Sequence, residues 1–260
     1  MKLPTVARAL RGAVAALVAT GMVLTIPAAR ASVPRIEGPF GTGAAEVWLV
    51  QPPGPVRAIV IFGHGWKEAP PSTGAPWVKQ FRPWLDHLAR RGDAVIFPRY
   101  QLGGDATGAA RARSFRAGLQ TAFAQMPGPP IPVIAIGYSY GASLAFTYAA
   151  NARTWQLPTP TAVDVVFPAS PIPGFPLPHL ARTTRVLVEV GDADTVAGSV
   201  GADAFWRWLG GAAPFRRYAV VRSHGAFVAD HAAPKATTPA ARAAFWAPLD
   251  RLIAVAAVSG

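Results

Sequence analysis

Short runs that are apolar at consecutive positions, rather than at alternate ones, recur along the chain at 46–50, 58–62, 94–97, 132–136, 162–167, 185–190 and 218–221. A strand with one wet face alternates polar and apolar residues, whereas a strand covered on both faces has no reason to. Between and after these runs lie longer stretches of helical character at 81–91, 108–125, 139–151, 201–209 and 239–258. The rhythm predicts a three-layer α/β domain: a mostly parallel sheet, helices on both faces, and right-handed crossovers between strands. Local signals agree. Gly92 and Gly210 stand where helix-ending glycines belong. Thr238 and Pro239 suit the N-cap and first position of the last helix, and Pro248 marks a kink or a later start within it. The proline-rich segments 51–56, 127–132 and 158–178 are short and bracketed by strand-like runs, so they read as loops.

The chain has 260 residues, half of them hydrophobic, enough for one sizeable core. Residues 1–31 contain no acid. They begin with Lys2, Arg8 and Arg11, continue with an apolar run at 13–26, and end in Pro27-Ala28-Ala29-Arg30-Ala31. This is the pattern of a secretory signal peptide with an A-x-A site, predicting a mature chain from Ser32 and a single domain over 32–260. The apolar run is short against the roughly 20 residues that span a bilayer, so no stable membrane insertion is expected after cleavage. Removing four cations (Lys2, Arg8, Arg11, Arg30) from the net charge of +12 leaves +8. The arginines are scattered, without a dense basic run interleaved with aromatics, and nucleic acid is not an expected partner. There is no cysteine, which removes disulfides and zinc fingers, and no His/Asp/Glu group has zinc-ligand spacing.

Four segments carry candidate chemistry, each following a strand-like run. The sharpest is Gly137-Tyr138-Ser139-Tyr140-Gly141, between the run 132–136 and a helical stretch. A nucleophilic hydroxyl needs a tight strand-to-helix turn, and the two glycines remove the side chains that would collide there. The second is Gly63-His64-Gly65-Trp66, after 58–62. In such an arrangement the N–H groups of Trp66 and Tyr140 would form an oxyanion hole, while His64 reads as a structural histidine holding the loop. The third is Gly191-Asp192-Ala193-Asp194, where a carboxylate can orient an imidazole; Asp194 is preferred, and Asp192 reads as a capping residue. The fourth is Ser223-His224-Gly225. His231 lies seven residues further on, but His224 is preferred as base because the base usually follows the last strand at once.

In these motifs, and in their order Ser, Asp, His, the chain resembles the α/β-hydrolase superfamily over nearly all of residues 32–260. Within it the chain looks most like the compact, lidless serine esterases near the dienelactone-hydrolase and polyester-hydrolase groups. It departs from dienelactone hydrolases in having no cysteine nucleophile, and from secreted cutinases in having no disulfides. The resemblance implies carboxylic-ester hydrolysis through a covalent acyl-enzyme, with Ser139 as nucleophile, His224 as base and Asp194 as orienting acid, without cofactor or metal. A cap would be inserted at 168–184, which is too short to hold one. An open cleft is therefore expected, bordered by apolar groups including Trp66, Tyr138, Tyr140, Ile172 and Phe175. Of these, Tyr138, Ile172 and Phe175 are the candidate substrate contacts. The substrate would be a small-molecule or polymeric ester, the protein a monomer, and the location outside the cell, in the periplasm or in the cell envelope. Two other functions fit the same residues: a cell-envelope acyltransferase, and a catalytically silent exported binding protein.

Overall fold

The computed structural model describes residues 33–103, 107–126, 128, 130–211 and 213–258. The expected signal segment 1–31 and its cleavage before Ser32 lie outside them. The described residues build an eight-stranded sheet ordered β1-β2-β4-β3-β5-β6-β7-β8. The strands are β1 (Arg35–Phe40), β2 (Val47–Gln51), β3 (Ala58–Gly63), β4 (Asp93–Pro98), β5 (Val133–Tyr138), β6 (Ala162–Val166), β7 (Arg185–Gly191) and β8 (Arg216–Val221). β2 runs antiparallel to β1 and β4, and β4, β3, β5, β6, β7 and β8 are mutually parallel. Parallel strands end at one edge, so the loops after β3, β5, β7 and β8 gather there.

The consecutively apolar runs are explained by two cores, one on each face of the sheet. Ile59 and Ile61 of β3, Val133 and Ala135 of β5, and Val163 and Val165 of β6 feed a core that includes Phe115, Phe146 and Phe205. These phenylalanines come from α2 (Gly108–Ala124), α3 (Tyr140–Asn151) and α4 (Val200–Leu209). The alternate residues Val60, Phe62, Val95, Phe97, Ile134 and Ile136 feed the opposite core with Trp77, Phe81 and Trp84 of α1 (Ala75–Arg90). That second core also takes Phe245, Leu249 and Ile253 from the C-terminal helical segment. Each such side chain removed from water contributes about 1.5–3 kcal/mol before chain entropy is charged against it. The polar faces of the helices supply solubility, so the strands have no need of polar alternation.

Three differences from the sequence reading have local causes. β1 was not among the runs because Arg35, Glu37, Gly38 and Pro39 break its apolar character; it is an edge strand with much of its surface in water. α1 starts at Ala75 rather than near residue 81, since Pro76 sits in the first turn, where no N–H is needed, and Pro83 is carried inside the helix by the burial around it. The last helix opens as α5 (Pro239–Ala241), passes through a π-helical turn at Arg242–Trp246 and continues as α6 (Ala247–Val258). The wide turn lies immediately before Pro248, where a proline cannot complete an ordinary helical hydrogen-bond ladder. Among the described residues the stretch between β6 and β7 contains no helix and no cap domain.

Candidate active site

β5 ends at Tyr138 and α3 begins at Tyr140, so Ser139 alone turns the chain from strand to helix. Its backbone sits at φ 57°, ψ −124°, a conformation that costs a non-glycine residue on the order of 1–3 kcal/mol. Close backbone packing imposes it. A Cβ on Gly137 would lie 2.1 Å from the Gly141 carbonyl oxygen, and one on Gly141 would lie 2.3 Å from the Gly63 backbone. The Ser139 N–H donates to Val166 O at 2.9 Å and its carbonyl accepts from Ala169 N at 3.2 Å. The side chain is thereby left at the mouth of the turn, over the positive end of α3.

The partner of this hydroxyl is His231, not His224. His231 Nε2 lies 3.0 Å from Ser139 Oγ, and its Nδ1 lies 2.9 Å from Asp194 Oδ2. The other Asp194 oxygen accepts from the N–H groups of Val196 and Ala197 at 2.9 and 3.0 Å, which fixes the carboxylate in a loop where it is only 7% exposed. A continuous Ser139–His231–Asp194 chain of hydrogen bonds results. His224 is exposed and caught in a tight turn, where its N–H and carbonyl pair with those of Phe227. The chain does not reach the site directly after β8 because that turn comes first. Asp192 closes it off by accepting from Ser223 N and Ser223 Oγ, and Ser223 Oγ in turn accepts from Ala229 N. Only then does Asp230, accepting from Ala232 and Ala233 N–H groups, start the short turn that presents His231. The signals in the sequence were Gly225, which takes φ 55° inside the His224–Phe227 turn, and the aspartate directly before His231.

The loop after β3 is braced from the loop after β4. His64 is fully buried, stacked between the rings of Trp77 (4.1 Å between centroids) and Tyr100 (4.3 Å), with its nitrogens 2.8 and 2.9 Å from the carbonyls of Gly65 and Arg99. Burial lowers its pKa to about 4 against the upward pull of the two carbonyls, and the ring, held on both faces and at both nitrogens, braces the loop. Tyr100 OH donates to His64 O at 2.8 Å, and Gln101 grips Lys67 by donating to its carbonyl (2.8 Å) and accepting from its N–H (3.2 Å). Trp66, 43% exposed, and Tyr140, at the start of α3, both line a cleft of about 590 Å³ beside Ser139 and His231. Tyr138 lines it too, and its hydroxyl donates to His231 O at 2.5 Å, tying the end of β5 to the histidine loop. Burial, followed by the charges of Asp194 and Asp230, pushes that phenol far above its ordinary range, so it remains a donor.

Ile172 and Phe175 are not in this cleft. Ile172 is 3% exposed within the core on the α2–α4 face, and Phe175 packs edge-on against Trp155 at 5.8 Å. Their stretch folds back over α3, where Asn151 Nδ2 donates to Pro176 O at 3.0 Å, instead of bordering the cleft. Trp77 and Phe81 of α1, which the sequence reading did not place at the cleft, line it together with Trp66, Tyr138 and Tyr140. Among the described residues no group of three or more His, Asp or Glu side chains is placed to hold a metal ion.

No protein-family model and no curated protein matches the sequence. Solved structures do match its fold. A phosphonate-inhibited esterase B from Lactobacillus rhamnosis superposes with TM-score 0.64 at 16% identity, covering 86% of this chain and 85% of that one. An alpha/beta hydrolase from a Medee basin deep-sea metagenome library gives 0.62 at 15% identity, covering 86% and 98%. The fold is that of the α/β hydrolases. One of the Rhizomucor miehei esterases shares it at TM-score 0.63 and 16% identity, over 87% of this chain and 84% of that one. In an α/β-hydrolase fold the strand-to-helix turn, the loop after the next-to-last strand and the loop after the last strand meet at the C-terminal edge of the sheet, which is where Ser139, Asp194 and His231 meet here.

Proposed function

We propose that this protein is a serine hydrolase that cleaves carboxylic esters, with Ser139 as nucleophile, His231 as general base and acid, and Asp194 as the carboxylate that orients the imidazole. One observation carries the reading: the unbroken chain from Ser139 Oγ through both His231 nitrogens to Asp194, at 3.0 and 2.9 Å, on a strained turn. The Nδ1 contact assigns the proton there, which leaves Nε2 free to accept. Ser139 Oγ then bonds to the ester carbonyl carbon as its proton passes to Nε2. The carbonyl oxygen becomes an oxyanion facing the N–H groups of Trp66 and Tyr140. Collapse breaks the bond to the alcohol, which leaves with the proton from Nε2, and the acyl group stays on Ser139. Water repeats the sequence, releasing the acid and restoring the serine. Asp194, hydrogen-bonded to Nδ1, orients the ring and stabilises the imidazolium that forms.

The esterases among the structural neighbours support this chemistry by their fold, and the N-terminal 31 residues support export as part of the proposal. Labelling with a fluorophosphonate and assay on p-nitrophenyl esters of increasing chain length test it. Ser139→Ala is expected to lose the label and to lower kcat by about ten-thousandfold or more, while Tm stays within about 2 °C because no packing atom is removed. A variant that still labels and turns over would remove Ser139 from the chemistry.

A further inference from the structure

The cleft beside Ser139 carries a charge that ester cleavage itself does not use. Lys67, from the loop after β3, and Lys235, from the short helical turn that follows His231, both line it. Lys67 Nζ stands 4.7 Å from the centroid of the Trp77 ring and Lys235 Nζ 5.7 Å from that of Tyr138, and both rings line the same cleft. The main chain of each lysine is fixed, Lys67 by the clamp from Gln101 and Lys235 by its N–H donating to Ala232 O. Among the described residues neither ammonium has a carboxylate within ion-pair distance. Glu68 is the acidic residue lining the cleft, exposed at its rim, and Asp230 acts on Lys235 from the histidine loop. Arg111 adds a further positive charge over the outer rings, 5.5 Å from Trp66 and 5.2 Å from Tyr140. Burial, and then the charge of Lys67, hold the Lys235 ammonium below the ordinary lysine range; Asp230 opposes the effect without cancelling it.

Two ammonium groups therefore line a cleft with the apolar rings of Trp77, Phe81 and Tyr138, repel one another and have, among the described residues, no carboxylate in ion-pair contact. The missing complement is an anion at the end of a short apolar arm. We propose that the preferred substrate is an ester that carries a carboxylate of its own, held by Lys67 and Lys235 while its ester carbonyl lies at Ser139. The inference rests on the esterase reading of Ser139 and narrows it to a substrate class.

The test compares kcat/KM for monomethyl adipate and dimethyl adipate, counted per ester bond, at low and at high ionic strength. A second pair, acetoxyhexanoate and its methyl ester, places the carboxylate on the alcohol side and so shows which product carries the anion. The anionic member of at least one pair is expected to be favoured about tenfold at low ionic strength, with most of that preference screened out by salt. Lys67→Met and Lys235→Met should each reduce the anion-to-neutral ratio by about three- to fivefold, and Lys235→Arg should keep most of it. Because the ratio is taken within each variant, a partly folded preparation does not alter it. A wild-type ratio at or below one in both pairs, or a preference that neither methionine variant changes, overturns the inference while leaving the esterase reading in place. Failure of the folded protein to hydrolyse any of the four esters, or the p-nitrophenyl panel, overturns both.

Discussion

Ser139 and His231 show how a residue is made competent by what surrounds it. The serine holds its φ of 57° because Gly63, Gly137 and Gly141 bring three backbones into contact, and a methyl group at any of them meets main-chain atoms at under 3 Å. The imidazole is aimed from both ends: its nitrogens reach Ser139 and Asp194, and its own carbonyl accepts from Tyr138. His231→Ala should accordingly lower kcat/KM by about ten-thousandfold. His224→Ala, which removes an exposed ring set against Phe227, should change it less than about twofold. Steady-state kinetics on a p-nitrophenyl ester decide between them, and the reverse order would return the base to His224. From the sequence, Ser139 was legible because a turn that tight leaves few residue choices. The histidine was not, because two histidines seven residues apart on one loop can be told apart only by the path the loop takes.

At the scale of elements, the loop after β8 and the helix that closes the chain work as one unit. Asp192 ties the ends of β7 and β8 together through Ser223, Asp230 starts the turn that carries His231, and Thr238 then caps the helix that covers one face of the sheet. Thr238 Oγ1 accepts from Ala241 N at 3.2 Å, a bond that satisfies an otherwise orphaned helical N–H. Thr238→Ala is expected to destabilise the protein by about 1 kcal/mol, seen as a fall of roughly 2–4 °C in Tm for a domain of this size. A Tm unchanged by the substitution would mean that the packing of Phe245, Leu249 and Ile253 alone sets the position of this helix. The cap was readable from Thr238-Pro239, a local signal. The π turn before Pro248 was not, since an i→i+5 bond such as Ala247 N to Arg242 O depends on how the helix must rotate to bury both Trp246 and Leu249.

Across the whole molecule, the same sheet that positions the site also buries two acids. Asp164 of β6 and Glu189 of β7 are almost inaccessible, and both Asp164 oxygens lack a hydrogen-bond partner among the described residues. Burial raises the Asp164 carboxyl to about 8; it also raises Glu189 well above the ordinary carboxylate range, with Asp164 adding to the effect and Arg217 and Arg251 opposing it. The folded state thus holds a proton that the unfolded chain releases near its ordinary carboxylate pKa of about 4. The folded protein binds more protons than the unfolded one across that window, so stability is fully present below about pH 4 and is lost as pH rises towards 8. Asp164→Asn removes Asp164's share of that proton dependence and leaves the burial of Glu189 in place. Its Tm relative to wild type should be higher at about pH 8 than at about pH 5, by roughly 5 °C. Thermal melts at the two pH values check this, and an equal difference at both would show that Asp164 does not carry a proton in the fold.

The sequence by itself determined the layer architecture, the strand-to-helix turn at Ser139 and the edge of the sheet at which the candidate site residues gather. Each follows from local sterics or from a run of a few residues: consecutive apolar positions require cover on both faces, and paired glycines permit backbone contact. Only the tertiary structure decided that His231 meets Ser139, that Trp77 and Phe81 rather than Ile172 and Phe175 line the cleft, and that Lys67 and Lys235 share it. These residues lie far apart in the chain or at the ends of loops, and their meeting depends on how each loop spends its hydrogen bonds on neighbours such as Asp192, Gln101 and Asn151. Local patterns specify which segments can pack, whereas the side chains that face one another across a cleft are fixed by the sum of those long-range contacts.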